Sequence, residues 1–129
     1  MSDADVVRQM LEASKNDPVA ALAFIDEGLR LYPRPAELGV KDVYKGLEGL
    51  EAYFGHWFSQ WDEYTSEPIK FVDAGDSVLV VIHETGTNLR MAMELEEDFS
   101  HSFVVRDGKI VEWRMYDSYD QAREALGLR

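Results

Sequence analysis

Three side chains in and just before the segment HSFVVRDGKIVEWRMYD (residues 101–117) are of types that move protons: Glu97, His101 and Asp117. Histidine titrates nearest neutrality, and a carboxyl group held beside another carboxyl keeps its proton to higher pH than one in water. On one apolar wall, such groups make a general acid and base for a small molecule. Whether they share a wall depends on strand register, because successive side chains of a strand point to opposite faces.

Two registers fit the turn at Asp107-Gly108. A two-residue loop sets Arg106 opposite Lys109 and His101 opposite Arg114, mixing charged and apolar residues on one face. A three-residue loop, Arg106-Asp107-Gly108, pairs Val105 with Lys109, Phe103 with Val111 and His101 with Trp113. Binary patterning prefers the second. Its inward set is Met91, Met93, Leu95, Glu97, Phe99, His101, Phe103 and Val105, joined by Val111, Trp113, Met115 and Asp117. Ile110, Glu112, Arg114 and Tyr116 then form an outward strip. Glu97 and Asp117 face each other across the strands, where one would hold a proton or share a cation. His101 lies about 13 Å along the strand from Asp117, so the two address opposite ends of a ligand rather than forming a dyad. A strand this long must curve or carry a bulge, and a bulge between Leu95 and Phe99 would turn Glu97 outward. Two plainer readings stay open: carboxylates on a wet rim, and a satisfied core histidine.

The elements that must position these groups follow from periodicity. Ser2 caps a helix over residues 3–14, ended by Asn16-Asp17-Pro18; Pro18 opens a second helix, PVAALAFIDE, stopped by Gly28. A third helix, GLEGLEAYFGHWFSQW, carries the apolar stripe Leu50, Phe54, Trp57, Phe58 and Trp61. After Trp61 the period drops to two, through EPIKFVDAG, DSVLVVIHETG, LRMAMELEEDFSHSFVV and KIVEWRMYD. Ser118 and Gln121, at capping-box spacing, start a short last helix that Gly127 stops. The expected fold is α+β, with three N-terminal helices packed on a strongly curved, mainly antiparallel sheet, in one domain over residues 1–129.

Composition narrows the chemistry. The 129 residues carry 25 acidic and 13 basic side chains, a net charge of −12, which repels phosphate backbones and anionic lipid, so neither nucleic acid nor membrane is an expected partner. Zero cysteines exclude disulfides, thiolate catalysis and cysteine-held metals. His56, His83 and His101 lack metal-ligand spacing, and no Gly-rich phosphate loop appears, so neither metal nor cofactor is expected. Without a basic segment leading an apolar core, the cytoplasm is the expected location.

The order LRLYP, KGLEGLEAYFGHW, DAGDSVLVV, HSFVVRDGKIVEWRMYD and AREALGL resembles SnoaL-like members of the nuclear transport factor 2 superfamily, which includes ketosteroid isomerase, limonene epoxide hydrolase and polyketide cyclases. The resemblance covers nearly the whole chain and implies an NTF2-like cone with an apolar pocket, paired into a homodimer through the sheet. At the position of ketosteroid isomerase's aspartate base stands Tyr32, before Pro33, and the tyrosine of that enzyme's oxyanion hole falls near Gln9. His101, seven residues before Gly108, matches a pocket histidine of the polyketide cyclases, whose acid aspartate falls at Met115, one inward step before Asp117. Arg90 and Asp117 do not reproduce the epoxide hydrolase set of one arginine and two aspartates. The expected activity is cofactor-free acid–base chemistry on a small apolar, oxygenated molecule. Asp117 and Glu97 would be acid or base, His101 polariser or base, Tyr32 a hydrogen-bond donor, and Phe54, Trp57, Phe99, Trp113 and Met115 the walls. The alternative is a non-catalytic binding or interaction module on the same fold.

Overall fold

The structure, a computed structural model, describes residues 1–128. Ser2 and Asp5 close a reciprocal capping box on helix α1, Asp3–Asn16, whose buried face is Val6, Val7, Met10 and Leu11. Asp17 then accepts from the Val19 amide to start α2, Pro18–Ala21. This helix is far shorter than the 18–27 segment expected. After one 3-10 turn the chain enters strand β1, Ile25–Tyr32. β1 runs parallel to strand β6, Lys109–Tyr116, and buries Ile25, Leu29 and Leu31. Pairing with a strand some eighty residues away overrides the local helical preference of PVAALAFIDE. Gly28 therefore lies within a strand and stops no helix.

A two-residue strand β2, Tyr44–Lys45, precedes helix α3, Gly46–Phe58, which buries Leu50, Tyr53 and Trp57. α3 ends three residues before Trp61, and Phe58 is half exposed instead of central to the stripe. Strands β3, Glu63–Asp73, β4, Val78–Asn88, and β5, Met93–Arg106, complete a mixed six-stranded sheet of order β2-β1-β6-β5-β4-β3. α1 and α3 cover its inner face. On β4 that face narrows at Gly86, where a Cβ would come within 2.8 Å of the Trp61 ring.

The short last helix α4, Tyr119–Ala125, is capped by Ser118 accepting from the Gln121 amide. It covers part of the outer face. Leu79 and Val81, which point away from α1 and α3, are buried, as is Ala122 of α4. Lys70, the cross-strand partner of Val81, rests its ammonium 4.9 Å from the centre of the Tyr119 ring.

The β5–β6 hairpin takes neither register unmodified. Its loop is the two-residue Asp107-Gly108 turn, with φ of 52° and 77°, the conformation that Asp-Gly favours. Arg106 does face Lys109, at an exposed tip where like charges cost little. A bulge then restores the apolar face: Val105 pairs with Ile110, Val104 with Glu112, and Val111 has no partner. Ile110 is consequently fully buried and Val111 only half-buried, the reverse of the expected placement. Phe103 pairs with Trp113 and His101 with Met115. The β4–β5 register is unbroken, so no bulge lies between Leu95 and Phe99. Met91 and Met93 are exposed all the same: Met91 lies in the turn before β5, and Met93 at the far end of β5, past the helices that cover the inner face.

Candidate active site

Alternation along β4 puts Val80, Ile82 and Glu84 on the inner face, and all three are buried. Phe99 and His101 of β5 lie on the same face, paired with Ile82 and Val80. Met115 comes from β6, opposite His101, and α3 closes the space with Tyr53, Phe54 and Trp57. Arg34, on the loop after β1, completes the wall, its guanidinium 4.8 Å from the centre of the Phe99 ring. These groups enclose a cavity of about 20 Å³, room for a single water molecule.

Two groups in it are proton-bearing, buried and uncharged. The Trp113 indole N–H donates to His101 Nδ1 at 3.1 Å, so the imidazole carries its proton on Nε2, for which no described residue is a partner. Burial, helped by the positive charge of Arg34, pushes the His101 pKa down to about 3. Burial pushes the Glu84 carboxyl up to about 8, against the pull of Arg34 and with a further push from Glu37. At neutral pH Glu84 is therefore mostly a carboxylic acid, and His101 a neutral donor.

Glu37 stands behind them. Its Oε1 accepts from the Tyr53 hydroxyl at 2.7 Å and lies 4.0 Å from Arg34 Nε, while its Oε2 is buried with no partner. Burial, with that bond to Glu37, raises the Tyr53 pKa. Arg34, Glu37 and Met115 also line a second space, an adjoining cleft of about 300 Å³. Among the described residues no three His, Asp or Glu side chains gather closely enough to hold a metal ion.

Of the residues singled out from the sequence, Phe54, Trp57, Phe99, His101 and Met115 surround the one cavity, and Trp113 orients His101 from beside it. Three lie elsewhere. Glu97 pairs with Glu84 across the strands but is exposed, because the helical cover ends before it. Asp117 follows the end of β6 and is exposed, accepting from the Ala36 amide at 3.1 Å; the bulge moves it out of register with Glu97. Tyr32 follows inward Leu31 and so turns from the cavity, its ring under the Arg114 guanidinium at 3.9 Å, where it lines the adjoining cleft instead. Sequence reasoning missed Glu84, Arg34 and Glu37. Glu84 shares the parity of Val80 and Ile82, but in a run buried on both faces that parity does not mark the inner side.

The SnoaL-like domain model matches residues 7–113. The chain belongs to the SnoaL-like domain family. Solved structures with the same fold include an NTF2-like protein from Burkholderia thailandensis, 25% identical, with a TM-score of 0.78 over 95% of each chain. A protein from Mesorhizobium loti described as a SnoaL-like polyketide cyclase is 22% identical, with a TM-score of 0.68 over 90% of this chain and 99% of its own. TerC, co-crystallised with polyporic acid, is 18% identical, with a TM-score of 0.76 over 96% of this chain and 97% of its own. No protein of curated function matches the sequence. No helix among the described residues is long and apolar enough to cross a membrane.

Proposed function

We propose that this SnoaL-like chain binds an apolar, oxygen-bearing small molecule and performs cofactor-free acid–base chemistry on it, of the isomerase, cyclase or hydratase kind. The observation that carries this reading is the pair of neutral, buried proton carriers on one apolar cavity, Glu84 and His101. Glu84 takes the acid role first sought at Glu97 and Asp117. His101, too weak a base at about 3, polarises a carbonyl through Nε2–H, and the unpartnered Oε2 of Glu37 is the neighbouring acceptor for a proton. Glu84 and His101 sit about 13 Å apart along the strands at Cα, so they serve two points of one substrate. A fold shared with TerC, crystallised with polyporic acid, supports a small-molecule occupant.

One observation favours a second reading, a non-catalytic binding module: the inner cavity, about 20 Å³, is far below the roughly 300–1,000 Å³ of ordinary ligand sites. Proton exchange separates the two. With 2-tetralone in D₂O, the chain is expected to accelerate deuterium uptake at the α-carbon, read by NMR, and Glu37→Gln, which removes the proton acceptor, to lose about 10²–10⁴ of that rate. A wild-type chain without acceleration leaves the binding module.

A further inference from the structure

Beyond Arg34, Glu37 and Met115, the lining of the cleft beside the inner cavity plays no part in the chemistry above. At about 300 Å³ it has the size of a site for a small organic molecule. The loop after β1 and the end of β6 form its walls, with Pro33, Val40 and Tyr116 among the apolar surface. Its charged lining is Arg34, Lys41 and Arg114 against Glu37 and Asp42. Three cations to two carboxylates is a local reversal in a chain with 13 basic and 25 acidic residues.

Those cations are loosely held. Arg34 Nε is 4.0 Å from Glu37, a carboxylate already engaged by Tyr53. Arg114 Nε is 3.4 Å from Glu112, and its guanidinium lies 3.9 Å from the centre of the Tyr32 ring, which holds a planar donor at the cleft wall. Lys41 enters no ion pair among the described residues. Donors that are preoriented but not neutralised are what carboxylate recognition needs. Arg34 and Met115 line both spaces, so cleft and cavity meet at these two side chains.

We propose that this cleft binds the carboxylate end of a molecule with an apolar body, whose carbonyl end passes Arg34 and Met115 to reach Glu84 and His101. The carboxylate site stands on the cleft alone; the passage inward rests on the function proposed above.

Calorimetric titration of the full chain with naphthalene-2-carboxylate and with its methyl ester tests the site. The carboxylate is expected to bind more tightly than the ester and to weaken in high salt. Lys41→Met and Arg114→Gln, both at exposed positions, should each weaken it roughly tenfold or more while leaving the ester unchanged. Glu84→Gln should leave carboxylate affinity unchanged. No preference for the carboxylate, or affinity indifferent to both cleft variants, overturns the site. Affinity that responds to Glu84→Gln alone places the anion in the inner cavity and overturns it as well. For the passage, 4-oxo-4-phenylbutanoate should exchange its α-protons faster than its methyl ester and lose that advantage in Lys41→Met. Equal rates overturn the passage. If neither compound exchanges, the proposed chemistry fails and the passage with it, while the titration still decides the cleft.

Discussion

His83 and Glu84 are consecutive in β4, and the pleat sends them to opposite faces with opposite outcomes. On the outer face His83 is clamped between carboxylates, Nδ1 at 2.6 Å from Asp98 and Nε2 at 3.4 Å from Glu96. The Asp98 hydrogen bond, with both negative charges, raises its pKa. On the inner face Glu84 has no hydrogen-bond partner among the described residues, and burial raises its carboxyl to about 8. His101, on that same face of the next strand, is lowered to about 3. Two histidines are thus driven in opposite directions, one by nearby carboxylates and one by exclusion of water. On this sheet the face, more than the residue type, decides which groups carry charge.

The severest way to break that contrast is to remove bulk from each face in turn. Phe103→Ala, at a fully buried inner position, should cost about 3–5 kcal/mol. The outward neighbour Val104, half-buried, should cost only about 1 kcal/mol as alanine. Denaturant midpoints measure both, and equal losses would erase the distinction.

Next in size is the pH profile of stability. Glu84 binds its proton more tightly when folded, with a pKa of about 8 against 4.5. It therefore contributes stability at low pH that is lost as the pH rises through 8. His101 binds its proton more weakly when folded, at about 3 against 6.5, so its contribution is present above 6.5 and lost as the pH falls through 3. Between 4.5 and 6.5 the two slopes cancel, giving a plateau with a decline on each side. The alkaline decline between 6.5 and 8 belongs to Glu84 and is roughly 2 kcal/mol. It should vanish in Glu84→Gln; a decline that persists assigns it to another group.

Trp113→Phe is a smaller perturbation. It leaves His101 Nδ1 buried without its donor and should cost about 1–3 kcal/mol, with a change of imidazole tautomer visible in ¹⁵N NMR. Smallest of all, Asp98→Asn on the outer face should lower the His83 pKa toward the ordinary histidine range, followed by NMR titration, without moving the denaturation midpoint.

How much of this was legible in the sequence depended on whether a local signal had a competitor. Caps at Ser2 and Ser118 lie next to the helices they start, and both form. The wall residues Phe99, His101, Phe103, Trp113 and Met115 were set by alternation against polar neighbours. β1 was hidden because its reward is a parallel pairing distant in sequence. Glu84 was hidden for a different reason: β4 is apolar on both faces, with Leu79 and Val81 buried on the outside and Val80 and Ile82 on the inside. A run such as VLVVI has no phase from which to count. Arg34 and Glu37 lie on a loop, where no period assigns direction.

The unpaired Val111 has a consequence for folding. Alternation is a rule modulo two: a hairpin slipped by two residues presents the same apolar side chains to the core, and His101 then faces Trp113 instead of Met115. Hydrophobic burial alone hardly separates these frames. The Asp107-Gly108 turn does, because two residues of positive φ close the hairpin on Arg106 and Lys109, and the extra residue is then taken up at Val111. The exposed tip thus serves as the punctuation that fixes the reading frame in which the histidine meets its neighbours.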